Sequence, residues 1–81
     1  MKTLSADLLA SKVSSLRKAK KITQSDLSKA TNINRALISR LENKYFTPSA
    51  NQLMALASVL DFDINEVFAD SEKTKETVTK K

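Results

Sequence analysis

An all-α fold, a compact bundle of five short helices, is what the sequence predicts. Apolar residues recur at three- and four-residue spacing along most of the chain, while no stretch alternates with period two and no hairpin dipeptide occurs. There is no Gly and a single Pro, so little interrupts helical segments. Eighty-one residues suffice for one domain. Residues 1–69 carry the core pattern; residues 70–81 are charged, lack such a pattern and are expected to be a disordered tail.

The first helix is expected from about Ser5 to Lys20. Ser5 is a good cap, Asp7 suits the positive end of the helix dipole, and Leu9, Val13 and Leu16 form the buried stripe. The second runs from Gln24 to about Thr31. Thr23 caps it, Asp26 completes a capping-box pair, and Leu27 and Ala30 face inward. Asn32 then supplies the left-handed residue of a tight turn. The third helix starts after Asn34 and ends near Asn43, with Ile38 and Leu41 facing the core and Ile33 beside them in the turn. Residues 44–48 form a loop. The fourth helix spans about Ala50 to Leu60 behind the cap Ser49, burying Leu53, Leu56, Ala57 and Leu60. A short fifth helix, about Ile64 to Ala69, is capped by Asp63 and buries Ile64, Val67 and Phe68.

Composition removes several function classes. Without Cys or His there are no disulfides, thiolate or imidazole metal sites, or Ser-His triads. The acids form no repeated ligand spacing and no paired site, so neither an enzyme nor a metal or cofactor is expected. No apolar run approaches the roughly 20 residues of a membrane span. The opening residues, with Asp7 and Lys12 breaking the apolar stretch, do not read as a signal peptide. A cytoplasmic location, bacterial or phage-type, is expected.

The net charge of +5 is unevenly spread. Residues 12–44 hold nine Lys and Arg against Asp26 and Glu42, a local net of +7, whereas residues 45–69 carry only Asp61, Asp63 and Glu66. A polyanion is attracted to the first part and repelled by the second. The third helix lies within the basic part and shows Arg35 and Arg40 beside small polar residues. A helix of this size fits the DNA major groove, and two helices joined by a tight turn hold one there.

These residues resemble a known family. Thr23-Gln24-Ser25-Asp26-Leu27, Ala30, Ile33, Ile38-Ser39, Leu41-Glu42-Asn43, Pro48-Ser49, Leu53, Leu56-Ala57, Leu60 and Glu66-Val67-Phe68 match the pattern of the Cro/C1-type (XRE-like) helix-turn-helix domain over about Val13 to Phe68. The resemblance implies a five-helix fold of the lambda-repressor-like type and binding of double-stranded DNA, usually by a homodimer on a palindromic operator. The sequence departs from the family at three glycines, where Asn32, Lys44 and Asp61 stand instead. Lys44 is the least comfortable of these with a positive φ, at a cost of about 1 kcal/mol.

Carried onto this chain, the family's base-reading positions are Asn34, Arg35, Ala36, Ser39 and Arg40. Arg suits guanine O6 and N7, and Ala36 suits a thymine methyl. Phosphate contacts fall to Gln24, Asn43, Lys44 and Tyr45, with Gln24 at the positive end of the second helix. Asn43 also fits the role of a plain C-cap. Arg17 and Glu42 match positions that form a partly buried salt bridge in the family. A dimer surface is expected around Val59, Phe62, Val67 and Phe68, residues that serve equally well to close the monomer core.

The reading is therefore a sequence-specific DNA-binding transcriptional regulator acting as a repressor by occupying its operator. No small-molecule ligand and no second domain to bind one are expected. An antitoxin and a restriction-modification controller protein fit the same residues. So does a protein-interaction module that has lost DNA binding, although the basic and polar residues on the third helix speak against it.

Overall fold

The computed structural model describes residues 2–70 of the chain. The expected tail from Ser71 onward lies outside the described residues. Among the described residues there are four α-helices, α1 (Ala6–Ala19), α2 (Gln24–Thr31), α3 (Arg35–Glu42) and α4 (Ala50–Leu60). They are followed by a 3-10 turn over Ile64–Val67 and flanked by two short strands, β1 (Lys2–Leu4) and β2 (Phe68–Asp70).

Each helix begins where a side-chain oxygen accepts from the first turn. Ser5 Oγ accepts from Leu8 N–H at 3.2 Å and Asn34 Oδ1 from Ala36 N–H at 2.7 Å. Thr23 with Asp26, and Ser49 with Gln52, form reciprocal capping boxes. Chain reversals rest on left-handed residues although no glycine is available: Lys21 (φ 59°), Asn32 (φ 62°), Lys44 (φ 70°) and Asp61 (φ 61°). Asn and Asp tolerate this region through short polar side chains; the two lysines do not have that advantage.

The core is one cluster. Leu9 and Val13 of α1, Leu27 of α2, Ile33 in the turn, Ile38 and Leu41 of α3, and Leu53, Leu56 and Leu60 of α4 meet Val67 from the 3-10 turn. Leu16, Ile22, Leu37 and Phe46 seal its margins. α3 packs on both α1 and α2, so it is held from two sides.

Two features differ from the sequence-based expectation. The fifth helix is absent. Ile64 and Val67 are three residues apart, which a single 3-10 turn satisfies, and six residues are too few to nucleate an isolated α-helix. Phe68 to Asp70 instead turn extended and pair antiparallel with Lys2 to Leu4, in the register Lys2 with Asp70, Thr3 with Ala69 and Leu4 with Phe68. Asp70, expected at the start of the tail, is thus the last paired residue. Strands of three residues are too short to reveal alternation in a sequence. The second difference is in α2, where Ala30 is exposed and Thr31 is buried. The buried stripe of α2 is therefore Leu27 and Thr31, four apart, and the Thr31 hydroxyl avoids an unsatisfied burial by donating to Leu27 C=O at 2.7 Å.

The α2 capping box gives a direct test. Thr23 N–H donates to Asp26 Oδ2 at 3.1 Å and Asp26 N–H to Thr23 Oγ1 at 3.0 Å. The bond from the Thr23 backbone, then that from its side chain, holds the Asp26 carboxyl below its ordinary value. A lowered carboxyl pKa stabilises the fold above the unfolded value near 4 and loses that contribution as pH falls through the folded value. Thr23→Ala should cost about 1 kcal/mol in urea denaturation at neutral pH. The gap between variant and parent should narrow only as pH falls through the lowered Asp26 value, and it should not close, because the Asp26 N–H bond to Thr23 Oγ1 survives protonation of the carboxyl.

Candidate nucleic-acid interface

The outward side of α3 is defined by what its inner side buries. Ile38 and Leu41 have 0% and 1% exposure. At about 100° per residue, Ala36 and Asn43 lie opposite them, flanked by Ser39 and Arg40. Asn34, Arg35, Ala36 and Arg40 are all exposed and Ser39 is half-buried. Arg35, Ala36 and Ser39 share a shallow open groove of about 300 Å³ with Gln24, the first residue of α2. The helix pair thus joins a residue expected at a phosphate to three expected at base edges.

Several of these side chains already have partners. Asn34 Oδ1 is used by the α3 cap, which leaves its amide nitrogen for any ligand. Asn43 is the C-cap of α3, and its Nδ2 donates to Ser39 C=O at 2.8 Å. Lys44 Nζ sits 3.3 Å from Asp7 Oδ1, in a pair exposed on both sides. Tyr45 is 82% exposed and anchored through its backbone, whose N–H donates to Arg40 C=O at 2.7 Å. Phe46, its neighbour, packs against the core instead.

Behind the groove lies an ion pair. Arg17 Nε donates to Glu42 Oε2 at 2.7 Å and Nη2 to Oε1 at 3.2 Å, a two-pronged geometry that only Arg provides. The side chains are 13% and 9% exposed. Hydrogen bonding to Glu42 raises the Arg17 pKa above its ordinary value, burial opposes this, and the Glu42 charge adds to it. A group with a raised pKa loses its charge only as pH climbs through that value, so Arg17 stays charged over any working pH. Arg17 Nη1 also donates to Ile22 C=O at 3.0 Å, and Gln24 Nε2 to Glu42 Oε1 at 3.1 Å. One carboxylate therefore connects α1, α2 and α3. Neither the Gln24–Glu42 bond nor the Lys44–Asp7 contact is legible from spacing, because each joins segments far apart in the chain.

The expected dimer residues divide. Val67 has 0% exposure and closes the core, so its side chain offers no surface to a partner. Val59, Phe62 and Phe68 are half-buried at the core's edge and keep part of their surface outside. Among the described residues no group of acids or other ligands could hold a metal ion, and no helix is long and apolar enough to cross a membrane.

A helix-turn-helix family model of the Cro/C1 type matches residues 13–67. The restriction-modification controller protein C.AhdI from Aeromonas hydrophila is similar in structure, with a TM-score of 0.68 and 28% identity over 78% of this chain and 98% of that one. The clp gene regulator ClgR from Corynebacterium glutamicum shares the fold, with a TM-score of 0.71 and 23% identity over 80% of this chain and 69% of that one. No curated protein sequence matches the chain significantly.

Breaking the ion pair on one side should be worse than removing it. Arg17→Met or Glu42→Leu alone strands a partly buried charge and should cost about 2 kcal/mol, below the fully buried range because some water remains. The double variant should lie within ~1 kcal/mol of the parent. Chemical denaturation of all four proteins checks both values.

Proposed function

The chain belongs to the Cro/C1-type helix-turn-helix family, and on that premise we propose that it is a sequence-specific DNA-binding transcription regulator that represses by occupying its operator. The observation that carries this reading is the outward face of α3, whose Arg35, Ala36, Ser39 and Arg40 remain accessible while Ile38 and Leu41 lock its opposite face. A face of that size and polarity suits the major groove, and the basic residues of 12–44 supply the attraction to phosphate.

Arg35, Ala36, Ser39 and Arg40, with the amide nitrogen of Asn34, read base edges. Gln24, Lys44 and Tyr45 position the backbone, and Asn43 adds its remaining amide hydrogen there. The Lys44–Asp7 pair does not oppose this role. An exposed pair contributes about 0–1 kcal/mol and yields to a phosphate. A homodimer bound to a palindromic site, joined around Val59, Phe62 and Phe68, would place two α3 helices about 34 Å apart. The site of action is the cytoplasm.

Within this class the controller-protein reading gains support from C.AhdI, nearly all of which is matched by this chain. The decisive measurement is a salt series of duplex binding. Affinity should fall linearly on a log–log plot of binding constant against salt; binding that ignores salt, or none, would favour a protein-interaction module. Arg40→Ala should relax preference at one base pair per half-site, costing about 1–3 kcal/mol on the selected sequence. Lys44→Ala should weaken all sequences alike and flatten the salt slope by roughly one. Selection from random duplexes with each variant checks both outcomes.

A further inference from the structure

We propose that Glu42 is a positioning residue for Gln24, presetting that side chain for DNA; the inference rests on the function proposed above. The bond pattern around Glu42 carries it. Oε2 accepts from Arg17 Nε at 2.7 Å, and Oε1 accepts from both Arg17 Nη2 at 3.2 Å and Gln24 Nε2 at 3.1 Å. An ionised carboxylate only accepts hydrogen bonds, so the Gln24 amide must present its nitrogen to Glu42. This fixes the sense of the amide. Its carbonyl and second N–H are left for the groove that Gln24 shares with Arg35, Ala36 and Ser39.

Glu42 is in turn held in place by its own bonds. It is the last residue of α3, with the buried Leu41 beside it, and its carboxylate is gripped by two prongs of Arg17. The same guanidinium donates to Ile22 C=O at 3.0 Å, just before the Thr23 cap. Arg17 therefore fixes α2 twice: through the loop that leads into it, and through the carboxylate that holds its first side chain. A glutamine on a surface samples many rotamers, and ordering it at the moment of binding weakens a complex. Here the ordering is done in the free protein. The arrangement requires an anion at position 42. A glutamine there keeps the size but has a single acceptor oxygen for donors that now use two.

A double-mutant cycle on duplex affinity tests this. Gln24→Ala should lower the affinity of the parent protein about tenfold. In a Glu42→Gln background the same change should lower it less than twofold, because Gln24 has already lost its orientation. Equal penalties in both backgrounds would overturn the inference while leaving the DNA-binding reading intact. Absence of salt-dependent binding by the parent would overturn that reading instead. A second measurement needs no variant and no DNA. The side-chain amide of Gln24 in the free parent protein should show an NMR order parameter near that of rigid backbone, about 0.8. A value below ~0.6, typical of a mobile side chain, would refute the preset even if Glu42→Gln failed to fold.

Discussion

The burial of Ile38 and Leu41 is the constraint on which the rest of the molecule depends. α3 has eight residues, fewer than an isolated helix needs to persist in water. Its helicity is therefore borrowed from the core. The two side chains that anchor it also set its rotation about its own axis, because one face cannot turn outward without exposing both. Once that rotation is set, the accessible positions follow: Arg35, Ala36, Ser39, Arg40 and Asn43. The packing of α3 and the face it leaves accessible are two consequences of one interaction.

Rotation alone does not fix where α3 lies relative to α2. Two other features do. Asn32 at φ 62° makes the turn tight, and Ile33 beside it is 2% exposed, so the turn is pinned into the core. At the far end, Glu42 ties α3 to Arg17 of α1 and to Gln24 at the start of α2. The helix pair is thus fastened by an apolar pin at one end and a charged one at the other. The charged pin contributes less to stability than to direction. A partly buried ion pair roughly offsets its own desolvation, but it has one geometry, whereas an apolar contact tolerates sliding.

Much of this was legible in the sequence, because it is local. Thr23 with Asp26, and Ser49 before the apolar stripe of α4, mark helix starts within a few residues. Leu53, Leu56 and Leu60 show the helical period, and Asn32 and Asp61 stand where left-handed turns occur. The bounds of α2 and α4 follow from such signals. What was not legible is pairwise and distant. Lys2 to Leu4 and Phe68 to Asp70 become strands only because each meets the other, 68 residues apart in the outermost pair, Lys2 with Asp70. Ala30 is a better helix former than its neighbour Thr31, yet Thr31 is the one buried, which the packing of α2 against α3 and α4 decides. The site divides likewise. The exposed face of α3 is a matter of periodicity, whereas the sharing of Glu42 between Arg17 and Gln24 requires three segments in space.

The distribution of charge bears on how the proposed DNA binder would discriminate among sequences. Nonspecific attraction comes from cations spread over residues 12–44, and salt screens it within about 10 Å. Such attraction alone holds a protein to any duplex equally. In the proposed complex, register is set by side chains whose freedom is spent before the encounter, and sequence by those that meet base edges. Asn34 is committed to its cap, Asn43 to the end of α3, and Gln24 to Glu42. Arg35 and Arg40 are exposed. The candidate face therefore combines hydrogen-bonded amides with exposed cations. In the proposed complex, the bonded amides of Gln24 and Asn43 hold the backbone in register, so that Arg35 and Arg40 meet base edges from a fixed frame.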